Sequence, residues 1–479
     1  MQPEFLVVTH MGSLIAVDTE SNTLHSIPDF LNDDGRPLLA CNSLLQFCIV
    51  QNNTCIPIDN LNIFAPRWTD GAARVGLQRN GRFGSAHPHG GPITFDRELQ
   101  KEWEYFLLLR SFDIDAIREF ASRSWFVPDA DLIITPKQMM NYCSFKVGKC
   151  NFQLDENIQT LRNHSKESKN IILTRHEYCI SRFISYRPLI YYVCFGEDDQ
   201  FSLLNAALES LVDIGLYQGD LCIITDRNDL DEWIPRNFKG SLHILHKPAA
   251  CREEFRCSRY ELDSLQDINS FGPILYMDTD VCVSDRISIL LKRISLSNKI
   301  CAGREEYSNT VAVPPSLLTV AEAVGSKLFH RDGYDPGYKF GFNSGVMGFA
   351  SISIADEAFR QVVQIIKRRM QTGEWLPYVD QPVANYVFHK LGIFDFKSLS
   401  GYIQVGTHNR LYSYIHPAEV QVLIHFWAVR SKDREKTIRN FTASRKEEVF
   451  LIKKRDIPQN IHICLLYTSD AADDMQCVD

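Results

Sequence analysis

Residues 273–283 read PILYMDTDVCV. Ile274 to Met277 are apolar enough to run as a strand through a core, and two aspartates follow, Asp278 and Asp280, with one residue between them. Side chains alternate along an extended chain, so both carboxylates reach the same side at the strand's end. Two hard oxygen donors placed this way suit Mg²⁺ or Mn²⁺. The plainer alternative is a strand ending in a polar loop with solvated or capping aspartates.

The surroundings of this stretch decide how it is read. From about residue 188 the chain alternates apolar runs with helical patterns. LIYYVCFG (189–196) is nearly continuous in apolar residues, as a parallel strand buried on both faces requires. FSLLNAALESLVDIG (201–215) has helical spacing. DLCIITD (220–226) and SLHILHKP (241–248) read as strands, EFRCSRYELDSL (254–265) as a helix, and PILYMDTDVCV as the next strand. DRISILLKRIS and FRQVVQIIKRRMQ are amphipathic helices. This rhythm gives βαβ units and a Rossmann-like, mostly parallel sheet, whose ligands collect at the C-terminal strand ends.

Residues 1–187 follow a different rule, with short alternating runs, glycines and turns that predict an all-β domain. Three glycine-led segments begin at Gly12, Gly81 and Gly148, 69 and 67 residues apart, each followed by an apolar strand: LLQFCIV, WEYFLLL and CISRFISY. A period this regular is read first as a repeat, and the middle unit resembles a lobe of a lectin-like or fascin-like β-trefoil. Another β sandwich or barrel is the alternative. The expected organisation is therefore a β-rich domain over 1–187, an α/β domain over 188–463, and a tail over 464–479 (CLLYTSDAADDMQCVD from Cys464) that fits neither pattern. The tail is acidic and aperiodic and reads as disordered or non-native.

Composition narrows the function classes. A net charge of −8 argues against a nucleic-acid partner and means that an anionic substrate needs a local cation. The 14 cysteines form no CxxC pair and sit mostly in apolar runs, as buried thiols in a reducing compartment do. The N-terminal residues lack a signal-peptide pattern, and no window holds about 18 uninterrupted apolar residues. The expectation is a cytoplasmic protein without a transmembrane segment, for which peripheral membrane contact stays open. The sequons at Asn52, Asn163 and Asn440 are read as chance occurrences.

Three further blocks lie downstream of the aspartates. In GFNSGVMGF, glycines flank Asn343 and Ser344 and would let a ligand approach the backbone. In YVDQPVANYVF, Asp380 and Gln381 open a helical run, where Asp380 has an alternative role as a helix cap. In VLIHFWAVRSK, three apolar residues bring His425 to a strand end, with Arg430 and Lys432 beyond it. A lone histidine is usually structural; here it is a candidate third metal ligand.

In order, FGEDDQF, YMDTD, FNSGV, DQP and HFWAVRSK resemble the motif series of glycosyltransferase family 8, the glycogenin and bacterial lipopolysaccharide galactosyltransferase group, over about 190–435. The last block lacks the family's glycine and its KPW, and a proline follows Gln381. The resemblance implies a GT-A fold and a retaining transfer of a hexose from a nucleotide-sugar, with a UDP-hexose as leading donor. The acceptor would be a glycan, a lipid-linked sugar or a protein. It implies Mn²⁺ or Mg²⁺ on Asp278, Asp280 and His425. Asp278 also meets the donor diphosphate, Asp198 approaches the nucleobase, and Arg259 neutralises donor charge. Asn343 and Asp380 touch the transferred sugar, Gln381 lies beneath its anomeric carbon, and Lys432 meets a phosphate. Two rivals come from other classes. One is a carbohydrate-binding protein with a degenerate transferase domain. The other is a nucleotidyltransferase, which would want a basic glycine-rich loop where FGEDDQF is acidic.

Overall fold

The structure, a computed structural model, describes residues 5–9, 13–21, 23–27, 37–41, 46–51, 54–58, 61–69, 72–86, 91–98, 105–110, 118–128, 131–139, 170–175, 179–248, 251–304, 324–334, 341–374, 378–406, 411–412, 422–427 and 429–453. The tail from 464 lies outside these. The chain divides into two compact units, Met1–Tyr186 and Arg187–Asp479.

The N-terminal unit is mostly strand. Among the described residues, twelve strands between Phe5 and Arg110 join one antiparallel sheet. Its centre pairs Phe5–Thr9 with Tyr105–Arg110, and the alternating residues Val7, Ile15, Leu39, Val75, Phe106 and Leu108 share one core. Strands Trp125–Val127, Leu132–Ile134, Asn170–Arg175 and Cys179–Ser185 form a separate four-stranded sheet. The three-lobed trefoil expected from the sequence is not the pairing seen. The apolar strands of the first two candidate lobes lie in the large sheet, whereas that of the third, CISRFISY, pairs with Trp125–Phe126 and Asn170–Arg175 instead. Of the three starts, Gly81 lies in a turn with φ +77°, and Gly12 and Gly148 lie outside the described residues.

The C-terminal unit is α/β. Its main sheet contains β1 (Leu189–Val193), β2 (Asp220–Thr225), β3 (Leu242–His246), β4 (Ile274–Met277), β6 (Ile300–Arg304), β7 (Phe342–Phe349) and β8 (Phe394–Asp395), in the order β3-β2-β1-β4-β7-β6-β8. The pairs β3/β2, β2/β1, β1/β4 and β6/β8 are parallel, while β7 is antiparallel to both neighbours. The whole LIYYV run of β1 is buried, because helices and loops cover both faces of such a sheet. Helix α1 (Asp198–Asp213) turns Phe201, Leu204, Leu208 and Leu211 inward at helical spacing. Helix α5 (Ile352–Thr372) does the same with Ala355, Phe359, Val362 and Ile366, and ends at Gly373 in the left-handed conformation.

The stretch 273–283 is two strands, not one: the backbone turns at Asp278–Asp280 and resumes as β5 (Val281–Val283). That second strand enters another sheet, pairing antiparallel with β11 (Leu423–His425), which pairs parallel with β9 (Ile403–Gly406). Phe342–Phe349 of the GFNSGVMGF block form β7 itself. The last helix, α7 (Ser431–Lys453), buries Ile438 in a small core with Leu203, Cys282, Ile424 and Phe426. No described helix is long and apolar enough to cross a membrane. Cys194, Cys222, Cys251, Cys257, Cys282 and Cys301 form no disulfide among the described residues, and burial pushes the thiols of Cys222 and Cys301 up to about 12.

Candidate metal centre

The strand order reverses direction beside β1: the chain proceeds outward to β2 and β3, then returns to β4 on the other flank. Crevices at such switch points, at the C-terminal strand ends, are where open α/β sheets bind ligands. Asp278 follows the last residue of β4 at this edge.

Asp278, Asp280 and His425 converge there, each offering one ligand atom, and these atoms lie within 4.8 Å of one another. Backbone pairing fixes the convergence. Val281 is opposite His425 in the β5/β11 ladder, and the Phe426 amide donates to the Asp280 carbonyl at 2.9 Å. The Asp278 amide donates to the carbonyl of Gly345 on β7 at 2.8 Å. Imidazole Nε2 of His425 stands 3.1 Å from Oδ1 of Asp280.

The residues fit a bound divalent ion by a direct steric observation. A Cβ on Gly345 would stand 2.7 Å from Oδ2 of Asp278 and 2.9 Å from Oδ1 of Asn343, and closer still to the His425 ring. A side chain at position 345 would fill the cradle, so glycine keeps it open. Two carboxylates and one imidazole are a donor set suited to Mn²⁺ or Mg²⁺.

Around this centre the charges are organised by buried residues. Asp280 is 6% exposed. Burial by itself would raise its carboxyl, but His425 and the guanidinium of Arg434, 2.8 Å from Oδ2, outweigh burial and hold it below the usual range. Asp278 is more open; its Oδ1 accepts from the Tyr276 hydroxyl and lies 3.3 Å from Nη2 of Arg259. Arg259 is also 3.4 Å from Asp380 through Nη1, which donates to the Ser344 carbonyl at 3.2 Å. Burial opposes the Arg259 charge, yet Asp278 and Asp380 raise its pKa well above the ordinary guanidinium value.

Asp380 is delivered by a turn in which Tyr378 and Val379 both have positive φ, 66° and 50°, a conformation that strains a β-branched residue. The capping role open to Asp380 in the sequence is not adopted. Its backbone is helical rather than extended, and its side chain makes no cap bond to helix α6 (Gln381–Lys390). Instead Oδ2 accepts from the Tyr260 hydroxyl at 2.9 Å and from Oγ of Ser344 at 3.1 Å. The proline after Gln381 occupies the first helical turn, where a missing N–H removes no intrahelical bond. Oε1 of Gln381 accepts from the Ser344 amide at 3.4 Å, which sets DQ against FNSG. Asn385 locks the same two elements together. Its amide donates to the carbonyls of Phe342 and Gln381, both at 2.9 Å, and its oxygen accepts from the Phe342 amide at 2.8 Å.

Three further residues named from the sequence have these placements. Asp198 opens α1, and its carboxylate, 78% exposed, pairs with Arg227 at 2.7 Å. Arg259 lies in a 3₁₀ turn, Ser258–Tyr260, after the short helix Arg252–Cys257, and both of its Nη atoms engage protein carboxylates. Lys432 is exposed in the first turn of α7, apart from the buried network. The sequence reading missed Arg434, Tyr260 and Asn385. The one available signal was the four-residue spacing of Arg434 from Ile438 and of Ile438 from Thr442 along α7, which marks a buried face.

The chain matches no protein-family model and no curated protein. Among solved structures it is similar to the glycosyltransferase GlyE of Streptococcus pneumoniae TIGR4, at 14% identity and a TM-score of 0.35, over 57% of this chain and 66% of that one. It is also similar to the galactosyltransferase LgtC solved with donor and acceptor sugar analogues, at 13% identity and a TM-score of 0.36, over 54% of this chain and 95% of that one. Likenesses at this level place the chain in no family, and the functional reading rests on the site itself.

Proposed function

We propose that the C-terminal unit is a metal-dependent glycosyltransferase of GT-A type that moves a hexose from a nucleotide-sugar, with UDP-hexose the leading donor, to a hydroxyl acceptor. The observation that carries this reading is the convergence of Asp278, Asp280 and His425 against Gly345 at the switch point of the sheet. A divalent ion held by these three residues would supply Lewis-acid stabilisation of the departing diphosphate. Asn343, whose carboxamide oxygen is fixed by the Gly345 amide at 2.8 Å, presents its amide nitrogen as a donor for the sugar. Gln381 offers an amide dipole to charge developing at the anomeric carbon, and no residue of the cluster stands out as a covalent nucleophile, which favours front-face transfer with retention. Arg259 acts from behind, holding Asp278 and Asp380 in place, rather than as a free cation for the donor. Asp198 and Lys432 remain proposed contacts for the base and a phosphate, Asp198 by way of release from Arg227.

The test is a donor screen that follows nucleoside diphosphate release with and without Mn²⁺. Release that continues undiminished in excess chelator would remove the metal reading. Pyrophosphate as the product would turn the assignment to a nucleotidyltransferase. Glycan binding without any donor turnover would turn it to a lectin.

A further inference from the structure

The two aspartates at the end of β4 are each gripped from outside by an arginine: Oδ1 of Asp278 by Arg259 at 3.3 Å, and Oδ2 of Asp280 by Nη1 of Arg434 at 2.8 Å. The second grip is the more constrained. Nε of Arg434 donates to the Val429 carbonyl and Nη2 to the Trp427 carbonyl, both at 2.9 Å. Those carbonyls belong to the turn that leads from His425 into α7, so one guanidinium ties the second aspartate to the segment behind the histidine. Ile438 and Thr442, four and eight residues further along α7, are buried on the same helix face, and the Arg445 guanidinium donates to the Ser284 carbonyl at 3.0 Å. That face aims Arg434 at Asp280. All three donor atoms are committed, which leaves Arg434 poorly placed to bind a ligand and well placed to hold a carboxylate.

We propose that Arg434 is a positioning residue of the metal site. It engages Oδ2 of Asp280 so that the carboxylate offers Oδ1 alone, on the side of His425, and it thereby biases the site toward Mn²⁺ and against Ca²⁺. The inference rests on the metal reading above. Ca²⁺ takes six to eight oxygens and commonly uses both oxygens of a carboxylate, whereas the smaller ions need fewer, well-placed donors. An arginine fixed on one oxygen disfavours the two-oxygen mode. Lysine is no substitute, since one ammonium on a flexible stem lacks the planar fork that meets a carboxylate and two carbonyls together.

The experiment titrates Mn²⁺ and Ca²⁺ into the full-length protein by calorimetry, without donor, for wild type, Arg434→Met and Arg434→Lys. Loss of a partner behind a metal ligand commonly lowers metal affinity by about 10–100-fold, and Mn²⁺ affinity of Arg434→Met should fall by that much. Ca²⁺ should lose less, so the Mn²⁺/Ca²⁺ ratio falls. Arg434→Lys should fall in the same direction, and it carries the comparison if the methionine variant does not fold. Melting curves in chelator report the anchoring of α7 separately. Folded variants with wild-type Mn²⁺ affinity, or with both ions weakened equally, overturn the role of Arg434 while leaving the metal reading intact. Wild-type protein that binds neither ion removes the metal reading and this role with it.

Discussion

The two units bury different things. In the N-terminal unit the core is Val7, Ile15, Leu39, Val75, Phe106 and their neighbours, and its buried polar residues among those described are Thr9, Ser13 and Ser26, all hydroxyls. The C-terminal unit buries Arg259, Asp280, Arg369, Asp380 and His425. A hydroxyl is taken out of water at modest cost, but an ion must be paired and hydrogen-bonded to be tolerated. Apolar residues of similar volume often serve stability as well as a buried ion pair, or better. The first core therefore holds what folding asks for. The second keeps charges that folding alone does not ask for, at the sheet edge where ligands collect, and that is the physical argument for proposing a site in the C-terminal unit.

The comparison can be broken most sharply at Asp380. Asp380→Ala strips Arg259 of one carboxylate and leaves Tyr260 and Ser344 without their acceptor. Removing one partner of a buried pair should lower stability by about 3–5 kcal/mol in a denaturant titration. Ser26→Ala, which deletes a buried hydroxyl without a hydrogen-bond partner among the described residues, should stay within about 0.5 kcal/mol of wild type. Similar values for the two variants would erase the distinction between the cores.

Turnover at the metal centre comes next. Asp280→Ala should lower donor hydrolysis by about 10²–10³, more than Asp278→Asn, because one good electrostatic contact to developing charge is worth that much. Near-wild-type turnover of the Asp280 variant would move the site elsewhere. Gln381→Ala should lower kcat by about tenfold, roughly 1.4 kcal/mol, with KM for the donor little changed, as for a contact made mainly in the transition state. NMR of the product should show the donor's anomeric configuration retained; inversion would remove the role given to Gln381.

The smallest expected effect tests whether an ordinary surface-edge charge behaves differently from the buried ones. Glu261 meets Lys367 at 2.8 Å and Lys247 at 3.3 Å. Burial would raise its carboxyl, but the two lysines outweigh it and hold the pKa below the usual value. Its stabilisation is therefore present above the unfolded-state pKa of about 4.3 and lost as pH falls through the folded value. Glu261→Gln should cost less than about 1 kcal/mol at pH 7, since Lys367 is well exposed, and progressively less in urea titrations as the pH falls through the folded value.

Several features were legible in the chain because they are local. The apolar run of β1 and the strand before Asp278 announce buried strands, and the helical spacing of α1 and α5 matches the residues they bury. The change of pattern near residue 187 is visible because alternation and helical periodicity differ over short windows. The regular glycine spacing of the first half does not fix the strand pairing for the same reason. A period records similar local turns, whereas the pairing of CISRFISY outside the large sheet is a long-range choice.

By itself, the sequence determined which residues were available for chemistry: Asp278 and Asp280 one residue apart after an apolar strand, and His425 at the end of another. What only the tertiary structure decided was their company. Arg434 reaches Asp280 because Ile438 seats α7 on the small core, over 150 residues along the chain from the aspartate it holds. Asp380 became a buried partner of Arg259 rather than a helix cap because the turn at Tyr378–Val379 places its backbone in the helical region and its carboxylate against Tyr260 and Ser344. Side-chain identity is written in the chain, but the free energy of a buried charge depends on which oppositely charged groups the fold brings within a few ångströms of it.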